Sequence, residues 1–183
     1  KIKERLGLNK PLHEQFWIWT KQTLSGDLGE SVMSRISIQE LLMQRLPPSL
    51  WIAGFAELFA VLLGVPLGCL AAWKANTWID RATMVFAVLA FSIPSFYLAY
   101  NLIFVLAVKL HWFPAIGYQP IADGIGTWAH SLVLPVVSIG MIIAGLLTRI
   151  TRSTMLEILR EDYIRTARSK GLGENVVIFR HAL

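Results

Sequence analysis

Apolar runs of membrane length dominate the pattern of hydrophobic and polar positions in this sequence. Residues 50–73 carry one charge, Glu57, while residues 82–108 and 128–148 carry none over 27 and 21 positions. A helix needs about 20 residues to cross the roughly 30 Å hydrocarbon core of a bilayer. The pattern therefore predicts an all-α integral membrane protein with transmembrane helices over these three ranges.

Each predicted transmembrane helix contains residues that interrupt helices. The first contains Gly64-Val65-Pro66-Leu67-Gly68, the second contains Ser92-Ile93-Pro94-Ser95, and the third contains Pro135, Gly140 and Gly145. Proline and glycine within hydrocarbon predict kinks and close helix contacts, and interrupted helices are common in transporters. Ordinary packing of small residues is an equally good interpretation of each site.

The first 48 residues are polar and mixed in charge. Gly26-Asp27-Leu28-Gly29 predicts a turn, and Ser37 stands three residues before Glu40, which is the spacing of a capping box. The helix that begins there is expected to end before Pro47-Pro48, because proline disfavours helical backbone at the residue before it. Ser49 would then cap the first transmembrane helix.

The distribution of lysine and arginine near the membrane ends predicts the orientation of the chain. Residues 149–183 hold seven basic side chains, and the loop 110–127 holds none. Residues 1–48 also hold seven, but most of these are far from the first transmembrane run. We therefore expect residues 74–81 and 149–183 to be cytoplasmic and residues 1–48 to be extracytoplasmic. This orientation requires an earlier span before residue 1.

The end of the chain is a charged segment that directly follows an apolar run. Residues 148–170 are expected to continue as one helix out of the membrane, and Glu161 and Arg165 have the spacing of a surface ion pair. One apolar stripe is predicted along this helix, formed by Leu156, Leu159, Tyr163 and Ala167.

A helix–turn–helix is expected where this segment ends. Gly171 and Gly173 offer helix stops, and a second helix is expected to begin at Glu174. A small residue near the turn, Ala167, would let a partner approach closely, and the alternating charges would fix the register of docking. A solvated amphipathic pair without a partner is the alternative interpretation.

Composition narrows the function classes. The net charge is +5, but the basic residues flank apolar runs and alternate with acids, which is not the pattern of a nucleic-acid-binding stripe. The single cysteine, Cys69, excludes a disulfide within these residues. The sequence contains no G-x-x-x-x-G-K-[ST] phosphate loop. The chain is therefore not expected to hydrolyse ATP itself.

A few polar residues within the apolar runs are candidates for a solute path. Glu57 is the only charge in a predicted span, and ionisable groups in membranes usually face a cavity or a partner. Ser92, Ser95 and Asn101 are further candidates, although hydrogen bonding between helices explains them equally well.

The stretch Asp162–Leu172 resembles the cytoplasmic loop signature of ABC-importer inner-membrane permeases, in the form used by the dipeptide/oligopeptide/nickel branch. The general signature is Glu-Ala-Ala, three residues, then Gly, and this sequence has Arg165-Thr166-Ala167 and Gly171 at those places. Other segments resemble the branch in the same order, namely Gly26-Asp27-Leu28-Gly29, Arg45-Leu46-Pro47, the motifs at 64–68 and 92–96, Phe113-Pro114-Ala115, Leu134-Pro135 and Arg152-Ser153-Thr154-Met155-Leu156-Glu157.

This resemblance implies a helical bundle like that of type I ABC-importer permeases, whose members have about six spans. The chain would be a fragment with an extracytoplasmic segment at 1–48, a transmembrane core at 49–150 and a cytoplasmic coupling loop at 151–183. The loop would dock on a separate ATPase subunit, which binds ATP and Mg. The resemblance implies coupling roles for Glu161, Asp162, Arg165, Thr166, Ala167, Arg168 and Gly171. Pro94, at the break in the second apolar run, is a further candidate path residue.

The partners that the resemblance implies are ATPase subunits, a second homologous permease subunit, an extracytoplasmic solute-binding protein and the lipid bilayer. The location would be the inner membrane of a bacterial or archaeal cell. Di- and oligopeptides are the expected solutes, and nickel, glutathione or another small solute are alternatives. A membrane enzyme for lipid-linked substrates is a remote alternative, because the acids near the chain end form no metal-type cluster with histidine. A passive channel is also remote, because it would not need the charged coupling segment.

Overall fold

Helices account for all the regular structure in the described part of the chain, as the apolar runs predict. The computed structural model describes residues 10–31, 33–173 and 176–178. Its α-helices are α1 (Leu12–Leu24), α2 (Ile38–Trp73), α3 (Trp78–Ser92), α4 (Ser95–Leu102), α5 (Ile125–Ile158) and α6 (Asp162–Ser169). A π-helix, Ile103–Lys109, continues α4, and a short 3-10 helix, Ile121–Asp123, precedes α5. The predicted start of a further helix at Glu174 lies outside the described residues.

The chain divides into two compact units, residues 1–50 and 51–183. The predicted turn at 26–29 is confirmed in the first unit. Gly26 and Gly29 have φ values of +88° and +80°, a region that glycine adopts without steric cost. The Gly29 N–H donates to Asp27 Oδ1 at 2.9 Å, which closes the turn.

The start of α2 at Ile38 agrees with the predicted cap, but the predicted end before Pro47-Pro48 is wrong. The helix continues through both prolines to Trp73. These prolines remove the donors for the carbonyl groups of Met43 and Gln44, and both of those residues are exposed to solvent. Ser49 does not begin a new helix; its hydroxyl donates to the Arg45 carbonyl at 2.9 Å, one turn back in the same helix.

Within the described residues, two helices, α2 and α5, are long and apolar enough to cross a membrane. The predicted second span is a bent pair: α3 is followed by a break, and the segment Ser95–Lys109 leaves it at 97°. Ile93 is extended, with φ −79° and ψ 122°, as expected for the residue before a proline. The predicted break at Ser92–Ser95 is therefore confirmed, and the pair would supply a third span if both halves cross together.

Glycines bring the backbones of the second unit into close contact, as the motif at 64–68 predicts. A Cβ atom on Gly64 would lie 2.7 Å from the Ala144 carbonyl oxygen. A Cβ atom on Gly145 would lie 2.7 Å from the Ala87 carbonyl oxygen. Helix α5 thus packs against α2 on one side and α3 on another, at distances that only glycine permits.

Candidate functional site

The short helix α6 places the predicted coupling residues on two different faces. Ile164 and Ala167 are buried, with 0% and 8% of their surfaces exposed. Residues three apart lie on the same side of a helix, so these two form one inward face. The other predicted coupling residues on α6 and beside it are exposed, namely Glu161, Asp162, Arg165, Thr166, Arg168 and Gly171.

The inward face of α6 packs into a cluster at one end of α2 and α5. We call this the end cluster; its buried members are Cys69, Ala72, Met155, Ile164, Ala167, Val177 and Ile178. Leu156 and Leu159 pack against it, as the stripe predicted. Tyr163 does not, since its side chain is 52% exposed.

Ala167, predicted to let a partner approach closely, is buried against its own chain, and its coupling role stays a prediction. Its small side chain lets α6 approach the end cluster of its own chain. A bulky side chain there would separate α6 from α2 and α5 before it could touch a partner.

A turn between α5 and α6 explains why Ile164, and not Tyr163, is buried. The expected continuous helix over 148–170 is wrong, because α5 ends at Ile158. The Glu161 N–H donates to the Ile158 carbonyl at 3.0 Å, and Glu161 itself is extended, with ψ 148°. The break resets the helical phase, so the stripe predicted across it does not continue.

The end of α6 is fixed by Gly171, as predicted. The Gly171 N–H donates to the Arg168 carbonyl at 2.9 Å, and the Leu172 N–H donates to the Ala167 carbonyl at 3.4 Å. This is the hydrogen-bond pattern of a Schellman motif, which needs a left-handed residue after the helix. Gly171 supplies it with φ +81°.

The outward face of α6 carries charges in solvent. Arg165 Nη1 lies 3.4 Å from Asp162 Oδ1, with the two side chains 76% and 97% exposed. The predicted partner of Arg165, Glu161, instead precedes the helix as its N-cap residue. Exposed ion pairs contribute little to stability. Breaking this pair in order to bind a partner would therefore cost little.

An ion pair that the sequence did not reveal lies beside the end cluster. Arg152 Nη2 donates to Asp80 Oδ2 at 2.8 Å, and Arg152 Nε donates to Asp80 Oδ1 at 2.5 Å. The two residues are 72 positions apart, so no local spacing could show the pair. The only sequence signal is that each lies at the charged border of an apolar run. The pair joins the start of α3 to the last turns of α5.

The predicted path residues divide between two places. Ser92, Pro94 and Ser95 are exposed at the break between α3 and α4. Asn101 lies further along α4, and its amide donates to the Tyr97 carbonyl at 2.8 Å. Glu57 is exposed on α2, a different helix. Since α2 begins at Ile38, Glu57 lies near the middle of that helix and not close to its outer end.

A cavity of about 270 Å³ lies near the other end of α5. Residues of α4, of the loop before α5 and of α5 line it, among them Ala99, Tyr118, Ser131 and Ser138. The Ser131 and Ser138 hydroxyls donate to carbonyls of their own helix. None of the predicted path residues lines this cavity.

The known proteins that this chain resembles are membrane components of transport systems. Residues 64–183 match the family described as binding-protein-dependent transport system inner membrane components. "Probable peptide ABC transporter permease protein y4tP" of Sinorhizobium fredii is 40% identical over 182 residues, covering 100% of this chain and 58% of that protein. The glutathione transport system permease proteins GsiC of Salmonella typhi and Escherichia coli K12 are 39% and 37% identical, covering 100% of this chain and 57% of each relative.

The apolar helices and the bent pair are those of a helical membrane protein. This chain belongs to the family of binding-protein-dependent transport system inner membrane components. It spans 57–58% of the length of the relatives compared with it.

Proposed function

We propose that this chain is part of the permease subunit of an ATP-driven importer that takes up di- or oligopeptides. The observation that carries the proposal is the two-faced helix α6, whose inward face packs against the ends of α2 and α5. Its outward face presents alternating charges to solvent. A helix so placed is suited to receive a movement from a partner on one face and pass it to the membrane helices through the other.

The proposed partner of the outward face is a separate ATPase subunit. Asp162, Arg165, Thr166 and Arg168 would lie at the interface, since the charges on this face can set the register of docking. Ala167 lies on the inward face, where its small side chain lets α6 pack closely against the rest of the end cluster. ATP and Mg bind the ATPase, and this chain binds neither.

The other proposed partners are a second homologous permease subunit and an extracytoplasmic solute-binding protein. The proposed location is the inner membrane of a bacterial or archaeal cell, with α6 on the cytoplasmic side. Residues 74–81 and the described part of 149–183, both predicted to be cytoplasmic, meet at one end of the second unit through Asp80 and Arg152. This contact supports placing both segments on the same side of the membrane, as the orientation requires.

Peptides are proposed as the solute because one relative carries that word in its name. Glutathione is the second candidate, since the GsiC relatives are of similar identity; nickel or another small solute would use the same machinery. Ser92, Pro94, Ser95 and Asn101 would line the path at the bent pair. Glu57 would contribute from α2.

A reconstituted system tests the coupling role. The full-length permease is placed in proteoliposomes with its ATPase and binding protein, and uptake of a labelled tripeptide is measured together with ATP hydrolysis. Arg165→Glu reverses a charge on the outward face, and Lys21→Glu is the control, an exposed charge on α1. We expect Arg165→Glu to lower uptake about tenfold and the control to leave it unchanged. Normal uptake by Arg165→Glu would contradict the docking role.

The solute and the path are tested in the same vesicles. Competition of tripeptide uptake by unlabelled dipeptide, glutathione and nickel identifies the solute class; competition by glutathione alone would favour the second candidate. Glu57→Gln removes the only charge among residues 50–73. Unchanged affinity and rate in this variant would show that Glu57 has no part in the path.

A further inference from the structure

The Asp80 carboxylate joins two helices, α3 and α5, to the connection that follows α2. It accepts two hydrogen bonds from the Arg152 guanidinium on α5. It also accepts one from the Asn76 N–H at 2.9 Å, in the short connection between α2 and α3. The Asp80 side chain is 5% exposed and that of Arg152 is 26% exposed. A carboxylate this buried, with three donors around it, is held in one orientation.

This junction lies directly beside the end cluster. Met155, three residues after Arg152 on α5, is 3% exposed and packs with Ile164 and Ala167 of α6. On α2, Cys69 and Ala72 belong to the same cluster and precede Asn76 by only a few residues. The surface on which α6 packs, which we call the seat of α6, is formed by Cys69, Ala72 and Met155. The Asp80–Arg152 pair and this seat therefore lie at the same ends of α2 and α5.

The two kinds of contact have different physical properties. Hydrophobic packing is non-directional, so the end cluster alone would let α5 slide or rotate by a small amount. A bidentate guanidinium–carboxylate pair fixes both distance and angle. Buried ion pairs are often neutral for stability when replaced as a whole, and specifying one arrangement is their better-attested use.

We propose that Asp80 and Arg152 are positioning residues that fix the seat of α6, so that a displacement of α6 moves α2, α3 and α5 together. This inference rests on the proposed function, because it assigns the pair a part in coupling ATP hydrolysis to uptake. The pair itself touches neither solute nor nucleotide.

The test separates fork geometry from charge. Arg152→Lys keeps the positive charge and loses the planar fork, and Arg152→Gln loses both. Asp80→Asn keeps the shape and loses the negative charge. Arg149→Lys and Arg149→Gln are the matched controls, since Arg149 is exposed on the same helix one turn earlier. Each variant is assayed as the full-length permease in the complete transport complex.

Two quantities are measured for each variant. The first is solute taken up per ATP hydrolysed, which we expect to fall about tenfold in all three pair variants, including Arg152→Lys, and to be unchanged in the controls. The second is the rate at which N-ethylmaleimide labels Cys69, which is 7% exposed in the end cluster. Any cysteine outside these 183 residues is first replaced by serine. We expect faster labelling in the pair variants, because a displaced α6 uncovers this thiol.

The outcomes are distinguishable. A lower ratio with faster labelling supports the proposal. An unchanged ratio in Arg152→Lys and Asp80→Asn overturns it whatever the labelling shows, and a lower ratio with unchanged labelling overturns the role in seating α6. If Arg152→Gln fails to assemble, the two conservative variants decide. Failure of the proposed function is seen separately, as absence of ATP-dependent uptake by the wild-type complex.

Discussion

Two regions of the second unit differ in the burial of their polar residues. The anchored end consists of Asp80, Arg152 and the end cluster. It buries the Asp80 carboxylate, half-buries the Arg152 guanidinium and gives the carboxylate three donors. The broken helix, formed by α3, α4 and the residues between them, leaves Ser92, Pro94 and Ser95 exposed. Side-chain hydrogen bonds hold the helices together at the anchored end, whereas the polar groups of the broken helix face outward.

This contrast indicates where the molecule resists deformation and where polar groups are available to the proposed solute path. A buried, directional contact holds helices in one arrangement, which suits the proposed role of this region in transmitting a movement. Exposed hydroxyl groups beside a 97° bend contribute little to folding and remain open to contact. Substitutions at the anchored end should therefore affect stability, and substitutions at the broken helix should affect transport alone.

The largest loss of stability is expected from Ile164→Ala, which would remove the contacts of this α6 side chain with the end cluster. Ile164 is fully buried, and truncating such a side chain costs about 2–5 kcal/mol. Thermal unfolding of the purified permease would show a lower Tm. Val176→Ala is the control, because Val176 is an aliphatic residue of the same region that is 42% exposed. Equal Tm values for the two variants would contradict the buried seat of α6.

A smaller loss is expected from Gly68→Ala, which overpacks the contact of α2 with α5. The added Cβ would lie 2.6 Å from Thr151 Cβ and 2.8 Å from the Thr148 carbonyl oxygen. Overpacking typically costs about 1–3 kcal/mol. Gly54→Ala in the same helix meets nothing within 4 Å, so its Tm should not fall. A similar Tm for both variants would show that the helices separate easily here.

Gly171→Ala tests the helix stop on the outward side of α6. The φ of +81° at Gly171 costs an L-residue about 1–2 kcal/mol. Gly173→Ala is the matched control, since both sites are sterically open but only Gly171 has a positive φ. The amide-exchange protection of α6 should fall in Gly171→Ala alone. Gly171→Pro should have a stronger effect and uncouple hydrolysis from uptake, because proline cannot adopt this φ and removes the N–H that bonds the Arg168 carbonyl.

The smallest effect on stability is expected from Ser92→Ala and Ser95→Ala in the broken helix. Both side chains are exposed, and surface substitutions of this kind change stability by less than about 0.5 kcal/mol. We expect the Tm of both variants to stay unchanged while their KM for solute rises. A large fall in Tm would instead place these serines in the packing of the fold.

The sequence by itself determined the features that depend on local backbone chemistry. Runs of apolar residues identified the membrane helices, proline after Ile93 identified the break, and glycine at 171 identified a helix stop. The family signature also pointed to the residues of α6. The acidic residues Glu161-Asp162 are a helix-start signal in the sequence, and α6 does begin at Asp162.

Only the tertiary structure decided which residues face inward and which meet across the chain. Pro47-Pro48 stay within α2 because the helix around them is exposed, against the local preference. The burial of Ile164 and Ala167 follows from the turn after Ile158, which changes the phase of the helix relative to α2 and α5. The Asp80–Arg152 pair depends on two helices packing together, and a contact over 72 residues leaves no periodic trace in sequence.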